Sequence, residues 1–122
     1  MSKVLLCLGS NSDAQRHVEA AKSMLRHLLK NIRFTPSVWT EPVGNNASAS
    51  LYLNCLAEGE SSADYPTLHQ TLKETEQALG SSPDERKAGV VRIDIDILLA
   101  DGIRHHEADW DRPYVKSLLG QL

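Results

Sequence analysis

The chain has 122 residues, 41% of them apolar and 24% charged, with a net charge of −3. That length gives one domain, residues 1–122, able to bury roughly two-thirds of its unfolded surface around a core of its own. The mild negative charge excludes a general pull toward nucleic acid or anionic lipid, so an anionic ligand must be held by local groups.

Val4 to Leu8 is a continuous apolar run, too short for a signal or membrane segment and suited to a strand buried on both faces. Cys7 and Cys55 lie inside apolar runs without a partner at metal or redox spacing, and read as core residues of a cytoplasmic protein with reduced thiols. Gly9-Ser10-Asn11 turns the chain, and Ser12-Asp13-Ala14-Gln15 matches a capping box with Ser12 as N-cap. The helix that follows carries Val18, Ala21, Leu25, Leu28 and Leu29 along one stripe and fades near Asn31.

Ile32 to Thr40 reads as a strand that Pro36 breaks or holds at an edge. Glu41 to Ser50, with Pro42, Gly44 and paired asparagines, is a loop. Leu51 to Glu58 alternates, placing Leu53, Cys55 and Ala57 on one face and Tyr52, Asn54 and Leu56 on the other. A second helix opens near Asp64, with Pro66 in its first turn, and ends at Gly80; its apolar line is Leu68, Leu72, Thr75 and Leu79. Ser81 to Gly89 is a polar loop, Val90 to Ala100 the clearest strand, and Asp101-Gly102 a turn. The tail from Ile103 suits a further strand and a short helix. The order strand, helix, strand, strand, helix, strand is that of an α+β, ferredoxin-like split βαβ plan, its helices on one face of an antiparallel sheet.

Alternation puts Arg92, Asp94 and Asp96 on one face of the last long strand, opposite Ile93, Ile95 and Ile97. The bland reading is a solvated polar face. Against it, Leu98 and Ala100 continue the aspartate face, which makes it covered ground. Adjacent carboxylates also repel, and a cation removes that penalty. Residues i and i+2 have Cα atoms about 6.7 Å apart, so the two side chains can converge on one magnesium or bracket two.

Leu8-Gly9-Ser10-Asn11, Thr40-Glu41-Pro42-Val43-Gly44, Tyr52-Leu53-Asn54 and Asp94-Ile95-Asp96-Ile97-Leu98 together resemble, in order, the motifs of the hydroxymethyl-dihydropterin pyrophosphokinases of folate synthesis. The resemblance covers residues 4 to about 100, with a weaker echo near Arg112. It implies the ferredoxin-like fold and transfer of the β,γ-diphosphate of ATP to the pterin hydroxymethyl group, leaving AMP. It implies two magnesium ions on Asp94 and Asp96, Tyr52 against the pterin, Asn54 on its edge, and backbone groups from Thr40, Pro42, Val43 and Gly44 reading it. Lys73 and Glu76 match positions near the nucleotide, as do Lys87, Ile97 and His106. Arg86 and Lys87 fall in a basic loop over the phosphates, where Arg86 and Arg92 would offset charge developing in the transfer. Arg112 and Tyr114 match an arginine and an aromatic that close over the pterin.

This chain departs from the family pattern in three ways. Lys87-Ala88-Gly89-Val90-Val91 has no aromatic where the family places a tryptophan. Arg92 stands one residue closer to the first aspartate, on the face of Asp94, where it could brace the carboxylates instead of touching phosphate. The chain after Asp96 is short, which implies that part of the adenine and pterin enclosure is missing or supplied by a partner chain. These departures set a non-catalytic nucleotide- or pterin-binding module of the same fold beside the enzyme as an alternative.

Overall fold

The structure is a computed structural model that describes residues 1–42 and 50–122. Among these residues, six strands form one antiparallel sheet: β1 Ser2–Ser10, β2 Lys30–Phe34, β3 Val38–Thr40, β4 Tyr52–Ser61, β5 Asp94–Ala100 and β6 Ile103–Arg104. Their spatial order is β2-β4-β1-β5-β6, with β3 pairing β4 beyond the break at Pro36. Helices α1 Ala14–Leu28 and α2 Tyr65–Ala78 make the two crossovers, and α3 Pro83–Lys87, α4 Glu107–Trp110 and α5 Pro113–Leu119 are short additions. With β1 and β4 central, this is the ferredoxin-like α+β plan.

The central strand β1 is buried on both sides, as its apolar run requires. Val4, Leu6 and Leu8 pack with Leu53, Cys55, Ala57, Ile93, Ile95 and Ile97 beneath α1 and α2. Leu5 and Cys7 face the other way and meet Leu56 and Leu98, where Val115 and Leu118 of α5 cover one end of the sheet. The rest of that second face is left for the cleft described below. Both cysteines are free and buried. Among the described residues no helix is long and apolar enough to cross a membrane.

Several local expectations are corrected. Helix α1 begins one residue later than the capping box implies, with Asp13 as N-cap in the left-handed region (φ 44°) and no side-chain cap. Ser12 is engaged otherwise, its carbonyl meeting Ser10 Oγ at 3.1 Å and the buried ring of His17 at 2.5 Å. The polar stretch after Gly80 is not all loop. Ser82 caps α3 by accepting from the Glu85 amide at 3.2 Å, and Pro83 occupies its first turn.

Strand β5 starts at Asp94 rather than Val90. The residues before it are held by Asn11, which accepts from the Val91 amide at 2.7 Å and donates to the Gly89 carbonyl at 2.8 Å. Arg92 therefore does not share the face of the aspartates. It lies against Gly80 and makes a two-pronged pair with Glu85, at 2.8 and 2.9 Å. At the other end of β5 the register against β1 shifts between Leu5 and Leu6. An extra residue there reverses the alternation, so Leu98 keeps the aspartate face while Ala100 packs under the helices.

Candidate active site

Where β1, β4 and β5 leave the second face of the sheet uncovered, a cleft of about 230 Å³ opens. Thr40 and Pro42 from the β3 end, Tyr52 and Asn54 from β4, Asp94 and Asp96 from β5, and Arg112 and Tyr114 from the tail all line it. Strand register explains the grouping. Gly9 stands opposite both Asn54 and Asp94 across its two neighbours, and Cys7 opposite Asp96. Motifs separated by 40 residues thus meet on adjacent rungs.

Gly9 is required by that closeness. A Cβ there would stand 2.8 Å from Asn54 Nδ2. Asn54 is 6% exposed and cannot swing away. Its Oδ1 accepts from Thr40 Oγ1 at 2.5 Å and its Nδ2 donates to the Leu8 carbonyl at 3.3 Å. Gly9→Ala is therefore expected to destabilise the fold by about 1–3 kcal/mol, as overpacking of a filled site does, measured by urea unfolding. An unchanged midpoint would contradict the packing.

The electrostatics of the cleft are lopsided. Glu41, Asp94, Asp96 and Asp109 line it, with Arg112 the one cationic side chain among the described lining residues. Arg112 is already bound to Asp109 Oδ1 at 2.7 Å. Burial first, then the charge of Asp94 and a hydrogen bond shared with it, push the Asp96 carboxyl up to about 7. Burial likewise raises Tyr52, with Asp94 adding to it, raises Tyr114, and pushes the Cys7 thiol up to about 12. Tyr114 and Cys7 touch, hydroxyl to sulfur, at 3.8 Å.

Asp96 has a measurable consequence. The folded chain keeps its proton to about pH 7, while the unfolded carboxyl ordinarily loses it near 3.8. The native state then binds more protons across that window, so stability falls as pH rises through it. In EDTA the urea midpoint is expected to decline from pH 5 to 8, and Asp96→Asn to flatten the decline. A slope unchanged in the variant would show that Asp96 is not its source.

Other expected site residues are placed elsewhere. Arg86, on α3, donates to Asp94 Oδ1 at 3.3 Å, to Glu76 Oε1 at 3.2 Å, to the Ile93 carbonyl at 3.1 Å and to Ser81 Oγ at 3.2 Å. Glu76 is not on a solvated helix face but 3% exposed, and burial raises its pKa. Lys73 reaches Glu76 at 3.3 Å, and Lys87 is exposed on α3. The Ile97 side chain is buried under the helices, away from the cleft, leaving only its main chain for a ligand. His106 Nε2 stands 4.0 Å from Asp96 and its Nδ1 3.9 Å from Asp109. Lys73, Glu76, Arg86, Lys87, Arg92, Ile97 and His106 are absent from the lining, whereas Cys7, Gly9, Glu41 and Asp109 belong to it without an expected role. Strand alternation could have found Cys7, which shares the face of Leu5. Val43 and Gly44 lie outside the described residues. Trp110 does not line the cleft; Arg104 stacks on it at 4.1 Å, and its Nε1 donates to the His105 carbonyl.

A ferredoxin-like antiparallel sheet with an acidic cleft on its open face, lined by paired carboxylates, tyrosines and an amide, sets the class as α+β. Residues 5–122 match the 7,8-dihydro-6-hydroxymethylpterin-pyrophosphokinase (HPPK) family, and the chain belongs to that family. The family is one of diphosphotransferases of folate biosynthesis that depend on ATP and magnesium. No curated protein matches the chain.

Proposed function

We propose that the chain is a pyrophosphokinase that moves the β,γ-diphosphate of ATP to the hydroxymethyl group of 6-hydroxymethyl-7,8-dihydropterin. The observation that carries this reading is the meeting of Asp94 and Asp96 with Tyr52 and Asn54 in one cleft. The donor set fits magnesium. Two carboxylates from alternate strand positions, one of them desolvated enough to retain a proton, are hard oxygen ligands short of positive charge. Magnesium held there supplies the charge that lets an acidic cleft accept a triphosphate.

The chain's own residues position the two substrates. Tyr52 and Tyr114 offer ring faces to the pterin, and Asn54, braced by Thr40 and Leu8, presents its remaining amide capacity to the pterin edge. The hydroxymethyl oxygen forms a bond to the β-phosphorus, the bond from that phosphorus to the α-phosphate oxygen breaks, and AMP leaves with that oxygen. The hydroxyl proton passes to solvent water, and no side chain is assigned as its acceptor. Among the described residues three cations bear on the site: Arg112 lines the cleft, Arg86 contacts Asp94, and Lys73 acts on Asp96 through its charge.

A coupled assay for AMP release from MgATP tests the reading, with release expected only when the pterin is present. A second reading, a pterin- or nucleotide-binding module without turnover, is favoured by one observation: Arg86 is paired with Glu76 and Asp94 rather than standing in the cleft. Tight binding of both ligands without AMP would establish the module and overturn the enzyme.

A further inference from the structure

Ile95 lies between the two aspartates, and its amide points to the outer edge of β5. Strand β6 covers that edge only at Leu99 and Ala100. At Ile95 the place of a neighbouring strand is taken by a side chain: Glu76 Oε2 accepts the Ile95 N–H at 2.7 Å. One residue pair earlier, Arg86 donates to the Ile93 carbonyl at 3.1 Å, and the same guanidinium binds Glu76 Oε1 at 3.2 Å. Lys73 adds a third donor to the Glu76 carboxylate. Glu76 is anchored from the opposite side by α2, beside the buried Leu72 and Thr75 of the core-facing stripe.

We propose that Glu76 is a positioning residue for the Asp94–Asp96 pair, closing the outer edge of β5 as a carboxylate substitute for a strand, and not a nucleotide contact. This inference rests on the reading of Asp94 and Asp96 as the metal ligands. The carboxylate fixes the peptide between them, and so fixes the spacing at which the two side chains meet a cation. A buried anion in that role needs cationic partners, which explains why Arg86 and Lys73 converge on it. Partners behind metal ligands tune affinity by orientation, typically tenfold to a hundredfold.

The test uses the full chain with Mn²⁺ alone as probe, and amide exchange at Ile95. Glu76→Ala is expected to weaken Mn²⁺ binding tenfold to a hundredfold and to speed Ile95 exchange by a similar or larger factor. Glu76→Gln, which keeps an oxygen acceptor and the same shape, is expected to restore protection of the Ile95 amide and most of the affinity. In turnover, Glu76→Ala should lower kcat with the pterin KM unchanged, a loss that added Mn²⁺ partly recovers. Mn²⁺ affinity and Ile95 protection unchanged in Glu76→Ala would overturn the positioning role. So would a loss confined to the ATP KM that Glu76→Gln fails to rescue. If the alanine variant does not fold, the glutamine variant decides: an exposed Ile95 amide with native Mn²⁺ affinity sinks the proposal, and a protected amide with near-native affinity supports it. A wild-type chain that binds no Mn²⁺ overturns the functional reading itself, and this inference with it.

Discussion

Asp96→Asn is expected to lower pterin-dependent AMP release by about a thousandfold or more while making the metal-free protein more stable. The first effect follows from charge. Removing one of two converging carboxylates takes away a metal ligand, and the charge stabilisation a metal supplies in phosphoryl transfer is worth several kcal/mol, near 4 for a thousandfold loss. The second follows from burial. The Asp96 side chain is 26% exposed and stands beside Asp94, so its ionisation at pH 8 costs the fold several kcal/mol, which asparagine does not incur. Stability and activity should therefore move in opposite directions, as they do where a site is built at the expense of the fold. A variant that keeps a tenth of the native rate would show that the metal sits elsewhere.

Asn54→Ala is expected to weaken pterin binding about thirtyfold to a hundredfold and to leave nucleotide binding within about twofold. An amide built to read a heterocycle leaves the ligand's polar edge unpaired when it is lost, at roughly 2–3 kcal/mol. The substitution also strands Thr40 Oγ1, which now donates to Asn54 Oδ1, and removes a donor from the Leu8 carbonyl. The pterin effect then combines a lost contact with a loosened wall. Titration with the pterin alone and with ATP alone separates the two ligands. Equal loss of both would rule out the assigned slot.

How much of this was legible in the sequence depends on the range of the interaction. Period-two alternation in Tyr52-Leu53-Asn54-Cys55 and in Asp94-Ile95-Asp96-Ile97 correctly sorted side chains between core and cleft, because one face of each strand is buried and register is then strongly specified. Asp64 and Pro66 marked the start of α2 for the same local reasons. Helix α3 was missed although its signal is local too: Ser82-Pro83-Asp84-Glu85 is a better capping box than the one at Ser12. Glu76 also lay in view, four residues after Leu72 and so on the buried stripe of α2, but a glutamate reads as solvated unless its partners are known.

What could not be read were long-range events. In sequence the alternation of β5 runs back through Arg92, but Asn11, 80 residues earlier, binds the segment before Asp94, which lies outside the strand. Arg92 then finds Glu85 instead of the aspartates. The register shift that turns Ala100 toward the helices depends on the partner strand and has no signature in β5 itself.

The outer edge of β5 bears on how the protein behaves in concentrated solution. An uncovered strand edge is a template on which another molecule can add a strand and begin to aggregate. Here the positions at Ile93 and Ile95 that no strand covers are occupied by a guanidinium and a carboxylate from the same chain. Both groups are rich in charge, and neither can be copied by an incoming backbone. The groups set beside the aspartates therefore also leave an incoming strand no free partner at these two positions.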